Sequence, residues 1–350
     1  MEKESRPVII IDNNTPKNLF VEGIRQRAKA YGIDIIDNTD YLSEKRHHRL
    51  IYISPQKGFI RACPCSRKYR CCNYFTIDTI EGCIYNCEYC ILKGFIDNSK
   101  ILIKADTDEL ISELNNFKDS LSLKNLTIRI GTGELSDSLA LEHIAPFAPI
   151  LIEETKNKDR IILEFKTKSA NVDTILNLPH NPRTTISFSI STTYLHNRLE
   201  PDTPSPSERL SAAKRCTEYS YKVGFHFDPI IFYKDYARDY EDIIRKLSLS
   251  IPGEAINWIS LGTIRFNPVM LDIFTSDILF GEYITDAEKK MRYPLYIRKN
   301  IYKTISDIIR TYLGNDIKIY LCMESDNLTR IILGKSFKSN EELNRYITGS

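Results

Sequence analysis

The chain has 350 residues, 42% hydrophobic and 27% charged, and its 48 Lys and Arg against 46 Asp and Glu leave a net charge of +2. That is enough apolar material for one large core or two unequal ones, and so small a net charge argues neither for nor against nucleic acid, since any basic groove would be local. No apolar run reaches the roughly 20 residues that cross a bilayer, and the opening MEKESRPVIII has neither the length nor the cleavage site of a signal peptide, so a cytosolic, reducing setting is expected.

In chain order, PVIIID, KNLFVEGIRQRAKAYGIDIID and HHRLIYIS read as strand, helix, strand and strand, and the SPQKG turn closes a small N-terminal α/β subdomain at residues 1–58. Residues 59–82 form a cysteine-rich lead-in and a first barrel strand, NYFTIDTI. From there to residue 335 apolar strands (LTIRIG, IILEFKT, TTISFSIS, KVGFHFDPIIF, INWISLGTI, IKIYLCME) alternate with amphipathic helices, about seven repeats without a long linker. That alternation predicts a full or partial parallel (β/α) barrel, with residues 336–350 as a tail. Catalytic groups are then expected at the C-terminal ends of the strands.

Nine cysteines, an odd number gathered mostly between residues 63 and 90, make a poor disulfide framework and point to metal or catalytic chemistry. Cys83, Cys87 and Cys90 stand in GCIYNCEYCIL with C-x3-C-x2-C spacing, just after the predicted first barrel strand. A structural zinc site fills four positions, whereas three thiolates on an iron-sulfur cubane leave one iron open. A zinc loop and inert thiols are the bland readings of the same residues. The spacing, with an aromatic before the last cysteine, resembles the motif of radical S-adenosylmethionine enzymes. The resemblance implies a [4Fe-4S] cluster on these three cysteines, S-adenosyl-L-methionine on the open iron, and Tyr89 near the adenine. RIGTGEL, with Gly131, Thr132, Gly133 and Glu134, resembles the superfamily's glycine-glycine-glutamate motif for the cofactor's ammonium group. Lys168 or Lys166 is then expected to meet the cofactor carboxylate, and Ser189, with Ser191, the ribose or carboxylate.

GCIYNCEYCIL, KTKSANVDTIL, FSIST, RLEPDTPSPSERLSAAKRC and KVGFHFDPIIFY occur in the order found in spore photoproduct lyases and their photolyase-like relatives, and CPCSRKYRCCNYFTI resembles the lead-in of those relatives. The likeness runs over about residues 55 to 335. It implies a radical S-adenosylmethionine partial barrel that repairs thymine-dimer photoproducts in DNA: a deoxyadenosyl radical abstracts hydrogen, and the methylene bridge between the thymines then fragments. An electron donor such as flavodoxin or ferredoxin is implied as partner. Two departures stand out. Gly131 occupies the best match to the lyase cysteine that quenches the product radical, and Ile91 replaces the tyrosine after the last cluster cysteine. Both leave radical generation intact, so modification of RNA, peptide or a small molecule is the rival within enzymes, and a zinc or DNA-binding module the rival outside them.

The remaining cysteines leave alternatives open. Cys63, Cys65, Cys71 and Cys72 are structural thiols, ligands of an accessory metal, or hydrogen or redox donors. Cys322, ending the last strand, is expected at the catalytic face and is the favoured donor; Cys216 reads as core. His226 and Asp228 point into the barrel or are buried and hydrogen-bonded, and Glu282, Arg292, Tyr293 and Tyr296 mark a basic, aromatic loop suited to nucleic acid.

Overall fold

In the computed structural model the described residues are 7–37, 50–64, 69–96, 100–122 and 126–349, with side chains of 118–122 excepted. The first half runs β1 (Val8–Ile11), α1 (Leu19–Ala30), β2 (Asp34–Asp37), β3 (Leu50–Ser54), β4 (Ile60–Ala62), β5 (Phe75–Ile77), β6 (Ile80–Glu81), β7 (Lys100–Lys104), α2 (Thr107–Ser122), β8 (Ile128–Thr132), α3 (Phe147–Thr155), β9 (Ile161–Thr167) and α4 (Asp173–Leu176). The second runs β10 (Thr184–Ser189), α5 (Thr193–Leu199), α6 (Pro206–Glu218), β11 (Lys222–Ile230), α7 (Tyr236–Ser250), β12 (Ile256–Thr263), β13 (Arg265–Phe266), β14 (Ile284–Thr285), β15 (Met291–Arg292), α8 (Leu295–Leu313), β16 (Ile319–Leu321), α9 (Asp326–Leu333) and α10 (Asn340–Thr348).

The main sheet has eight strands in the order β16-β12-β11-β10-β9-β8-β5-β4, parallel except for the β4–β5 pair. It is a curled half-barrel. Its two faces follow from the period of two along a strand. Ile130, Leu163, Phe165, Ile186, Phe188, Phe225, Phe227, Ile259 and Leu261 are all buried in the main core, whose helices α3, α6 and α8 contact β9, β10, β11 and β12. The alternate residues, Arg129, Gly131, Glu164, Lys166, Ser187, His226 and Trp258, share the concave face. The sequence resolves the helix starts as well: Pro206 opens α6 behind Ser205, whose hydroxyl and Glu208 form a reciprocal cap.

A second sheet, β2-β1-β3-β7-β6, holds the N-terminal residues and recruits β6 and β7 from beyond the SPQKG turn. The stretch NYFTIDTI is therefore two strands in two sheets, not one barrel strand. The break falls at Asp78 and Thr79, where the Asp78 N–H turns to Phe59 O at 2.8 Å and Thr79 O accepts from Lys104 N at 3.0 Å. The C-terminal stretch carries α10. There Leu343 and Ile347, with Phe337, pack under Trp258, Tyr320 and Ile162 and close the floor of the half-barrel.

One carboxylate joins this assembly across its two sheets: Glu113 of α2 accepts the N–H groups of Gly58, Phe59 and Ile60 at 2.9 to 3.0 Å. Charge-assisted bonds of this kind contribute about 1.5–3 kcal/mol. Glu113→Ala is expected to lower unfolding free energy by about 2 kcal/mol in urea titration; an unchanged midpoint would reject the clamp.

Candidate active site

The cysteine loop leaves from the edge of the small sheet. Gly82 has φ 91°, and a Cβ there would lie 2.7 Å from Lys100 O, so the turn needs glycine. Cys87 is buried, while Cys83 and Cys90 are half-buried. The loop is fastened through its intervening residues. Glu88 N–H donates to Leu199 O at 2.8 Å, and the Glu88 carboxylate accepts the N–H groups of Thr275 and Ser276, both at 2.5 Å. Tyr89, expected beside an adenine, is buried and donates its hydroxyl to Glu200. The other Glu200 oxygen accepts from Ser191 Oγ at 3.0 Å and Arg209 Nη2 at 2.5 Å. Ser191 is thus engaged beneath the loop, and half-buried Ser189 stands at the strand end, its carbonyl accepting from Arg209 Nη1 at 2.9 Å.

Burial pushes the Cys83 and Cys87 thiols up to about 12. The adjacent cation is Lys168, whose ammonium lies 5.6 Å from the centre of the Tyr89 ring. Burial opposes its charge, but Cys87 and Glu200 outweigh that and hold it above the ordinary lysine range. Among the described residues no three His, Cys, Asp or Glu side chains stand close enough to hold a metal ion as they are. The donor set in the loop, three thiols with a lysine beside them and the one carboxylate, Glu88, turned to Thr275 and Ser276, nevertheless has the chemistry of an iron-sulfur site.

The loop after β8 reaches the same mouth. Thr132 Oγ1 donates to Ser138 Oγ at 2.7 Å, Gly133 has φ 99°, and Glu134 is partly exposed with its carboxylate 3.7 Å from Lys166 Nζ. Asp137, not singled out from sequence, ties this loop to the end of β9. One of its oxygens accepts from Leu139 N, Ala140 N and Thr167 Oγ1, the other from Lys168 N at 2.6 Å.

Below the mouth the concave face holds a charged network that the sequence reading also missed. Glu164, fully buried, accepts from Ser187 Oγ at 2.6 Å and Trp258 Nε1 at 3.2 Å, sits 3.0 Å from His226 Nε2 and pairs with Arg129 Nε at 3.5 Å. Burial pushes its carboxyl up, but Arg129 and His226 outweigh that and hold it well below the usual range. The Arg129 guanidinium lies 4.7 to 5.2 Å from the ring centres of Tyr74, Trp258 and Tyr320. The signal was a charge in the middle of an apolar strand, in TIRIG and in ILEFK. His226 does face inward, and Asp228 pairs with Arg265 through both oxygens at 3.0 to 3.1 Å.

Cys322 Sγ accepts from Arg265 Nη2 at 3.6 Å, and Cys72 Sγ from Arg129 Nη2 at 3.0 Å. Cys63 and Cys72 lie within electrostatic reach of both each other and Cys322, and Cys71 bonds Cys72, so these four thiols are neighbours. Cys65 lies outside the described residues, and Cys216 is buried in the core. In the loop expected to meet bases, Tyr293 is 2% exposed, stacked on Tyr283, and Arg292 is buried against Glu324. Neither reaches a base. Tyr296 is exposed and donates to Glu282 at 2.5 Å, and Ile91 is exposed beside the cysteine loop.

The model of the family described as spore photoproduct lyase matches residues 67–321. The chain belongs to the spore photoproduct lyase family. It is 27% identical over 180 residues to a spore photoproduct lyase of Geobacillus sp. (strain Y412MC61) and 26% identical over 182 residues to that of Bacillus subtilis (strain 168). These alignments cover 51% of this chain and 52% of each relative, so the chain spans about half the length of the relatives it matches. A solved spore photoproduct lyase complexed with the dinucleoside spore photoproduct superposes with a TM-score of 0.78 at 18% identity, covering 91% of this chain and 99% of the other. At that identity the likeness speaks for the fold.

Gly131, where a side chain would enter the lumen, leaves no room for one: a Cβ would lie 1.8 Å from Glu164 O and 2.7 Å from Tyr74 Oη. Gly131→Ala is expected to lower stability by at least about 2 kcal/mol, since the obstacle is the backbone of β9. Wild-type thermal stability in that variant would show that the strands separate freely here.

Proposed function

We propose that this chain is a radical S-adenosylmethionine enzyme that repairs the methylene-bridged thymine dimer of DNA by hydrogen abstraction and bond fragmentation. The observation that carries the reading is the cysteine loop of Cys83, Cys87 and Cys90, seated at the C-terminal mouth of a half-barrel in a chain of this family, with Lys168 and the Glu134–Lys166 pair around it. When bound, a [4Fe-4S] cluster on the three thiols and S-adenosyl-L-methionine supply a deoxyadenosyl radical.

The chain's own residues bind and orient. Glu134, partly exposed at the strand end, would accept hydrogen bonds from the cofactor's ammonium group; Gly131, Thr132 and Gly133 would let the backbone approach; Lys168 and Ser189 would meet the carboxylate and ribose. Tyr89 acts from beneath, holding the loop through Glu200. Arg129, Tyr74 and the Glu164 network form the polar lower wall against which a base extruded from DNA is received. A thiol of the lumen, from Cys322 or the Cys63, Cys71 and Cys72 group, ends the reaction. A low-potential one-electron carrier of the flavodoxin or ferredoxin kind is the partner this chemistry requires. Among the described residues no helix is long and apolar enough to cross a membrane.

Two experiments test the reading. Anaerobic reconstitution is expected to load iron and sulfide for one cubane, and Cys87→Ala to abolish it; stoichiometric zinc instead of iron, or full iron in the variant, would overturn the assignment. Glu134→Ala is expected to weaken S-adenosylmethionine binding by about 1.5–3 kcal/mol while sparing iron content, because it removes a charge-assisted contact. Equal affinity in calorimetric titration would reject that role.

A further inference from the structure

Gly131 cannot carry a hydrogen donor, because β9 closes the space on that side. A carbon radical left after fragmentation still needs a hydrogen atom. Four described thiols are neighbours inside the half-barrel's cysteine-rich edge and last strand, and three of them are engaged: Cys72 by Arg129, Cys71 by Cys72, and Cys322 by Arg265. Cys63 differs. No hydrogen bond to its sulfur is present among the described residues, and its strongest charged neighbours are Glu134 and Lys166, the pair placed at the cofactor site.

Its position follows from the strand pairing. The β4–β5 ladder places Ala62 opposite Phe75, and the bond from Cys63 N–H to Tyr74 O at 2.9 Å continues it by one residue. Tyr74 beside it is fully buried, with Lys166 Nζ 3.7 Å from its ring centre. Around this point Tyr74 Oη and Arg129 Nη1 are buried with no hydrogen-bond partner among the described residues, and Glu164 Oε2 has only its ion pair with Arg129 Nε at 3.5 Å. Such atoms are costly to leave unmatched, and they form a set of donors and an acceptor suited to the carbonyl and imide edge of a pyrimidine.

We propose that Cys63 is the terminal hydrogen donor, acting on a pyrimidine whose polar edge pairs with Tyr74 and Arg129; this rests on the lyase reading above. In the step, the Cys63 S–H bond breaks, a C–H bond forms on the product carbon, and the unpaired electron moves to sulfur. One electron from the low-potential carrier that the reaction already requires, with a proton from water, restores the thiol. The thiol form is the one present at neutral pH, since burial, then Glu134, pushes Cys63 up to about 12.

The full-length protein, reconstituted with its cluster, is given S-adenosylmethionine, dithionite and the dinucleoside spore photoproduct in heavy water. The thymine product is expected to carry one deuterium from the exchangeable thiol. Cys63→Ser is expected to lower thymine formed per deoxyadenosine at least about tenfold, with Cys63→Ala as a second variant and iron content as the check on folding. A normal ratio in both variants, or loss confined to Cys71→Ser, Cys72→Ser or Cys322→Ser, overturns the assignment. A second measurement needs no turnover: without reductant, S-adenosylmethionine is expected to slow alkylation of Cys63 by iodoacetamide several-fold, read by peptide mass spectrometry. An unchanged rate overturns the placement of Cys63 at the cofactor site. If the unmodified enzyme makes deoxyadenosine but no thymine, the lyase reading itself falls and the donor role with it, whereas protection from alkylation would still hold Cys63 at that site.

Discussion

The concave face of the half-barrel is organised around a charge that has no access to water. Glu164 sits in the middle of β9 with no exposed surface, and a bare carboxylate there would be intolerable. It is made tolerable by four elements: Arg129 from β8, Ser187 from β10, His226 from β11 and Trp258 from β12. Removing one partner of such a buried pair typically costs about 3–5 kcal/mol, because the other charge is left uncompensated. The network therefore sets strand register as well as polarity: Gly131 must lie against Glu164, and Ser189 against His226, for these contacts to exist.

The mouth above it is held by carboxylates of a different kind. Asp137, Glu88 and Glu200 each accept several bonds at once, and in each case the bonds join segments distant in sequence. Asp137 joins the loop after β8 to the end of β9, Glu88 joins the cysteine loop to residues 275 and 276, and Glu200 joins Tyr89 to Arg209 of α6. A loop held this way presents its thiols on a fixed frame. The thiols of Cys63, Cys72 and Cys322 stand in a different setting from those of the cysteine loop, beside the cations of Lys166, Arg129 and Arg265 respectively.

Much of this was legible in the chain alone. The period-two strands and amphipathic helices specify an α/β half-barrel because one face of each strand must be apolar to meet a helix. The C-x3-C-x2-C spacing specifies the cysteine loop because local sequence distance bounds how far apart the thiols lie, and the TGE and FKTKS stretches end strands whose C-terminal ends converge. What only the tertiary structure decided depends on contacts between residues far apart in sequence. NYFTIDTI divides between two sheets because Lys104 and Phe59 supply the bonds at its break. Tyr293 reads as a base-stacking residue until Tyr283 is seen to cover it. Gly131 reads as a lost cysteine, but its neighbour across the ladder, Glu164 O, leaves no room for any side chain. Cys63, one thiol among nine in the sequence, is set apart because strand pairing brings it to Glu134 and Lys166 while Arg129 and Arg265 engage its rivals. Periodicity and spacing are properties of neighbours along the chain; burial, pairing and the closure of a lumen arise from long-range packing and exist only once the sheet has curled.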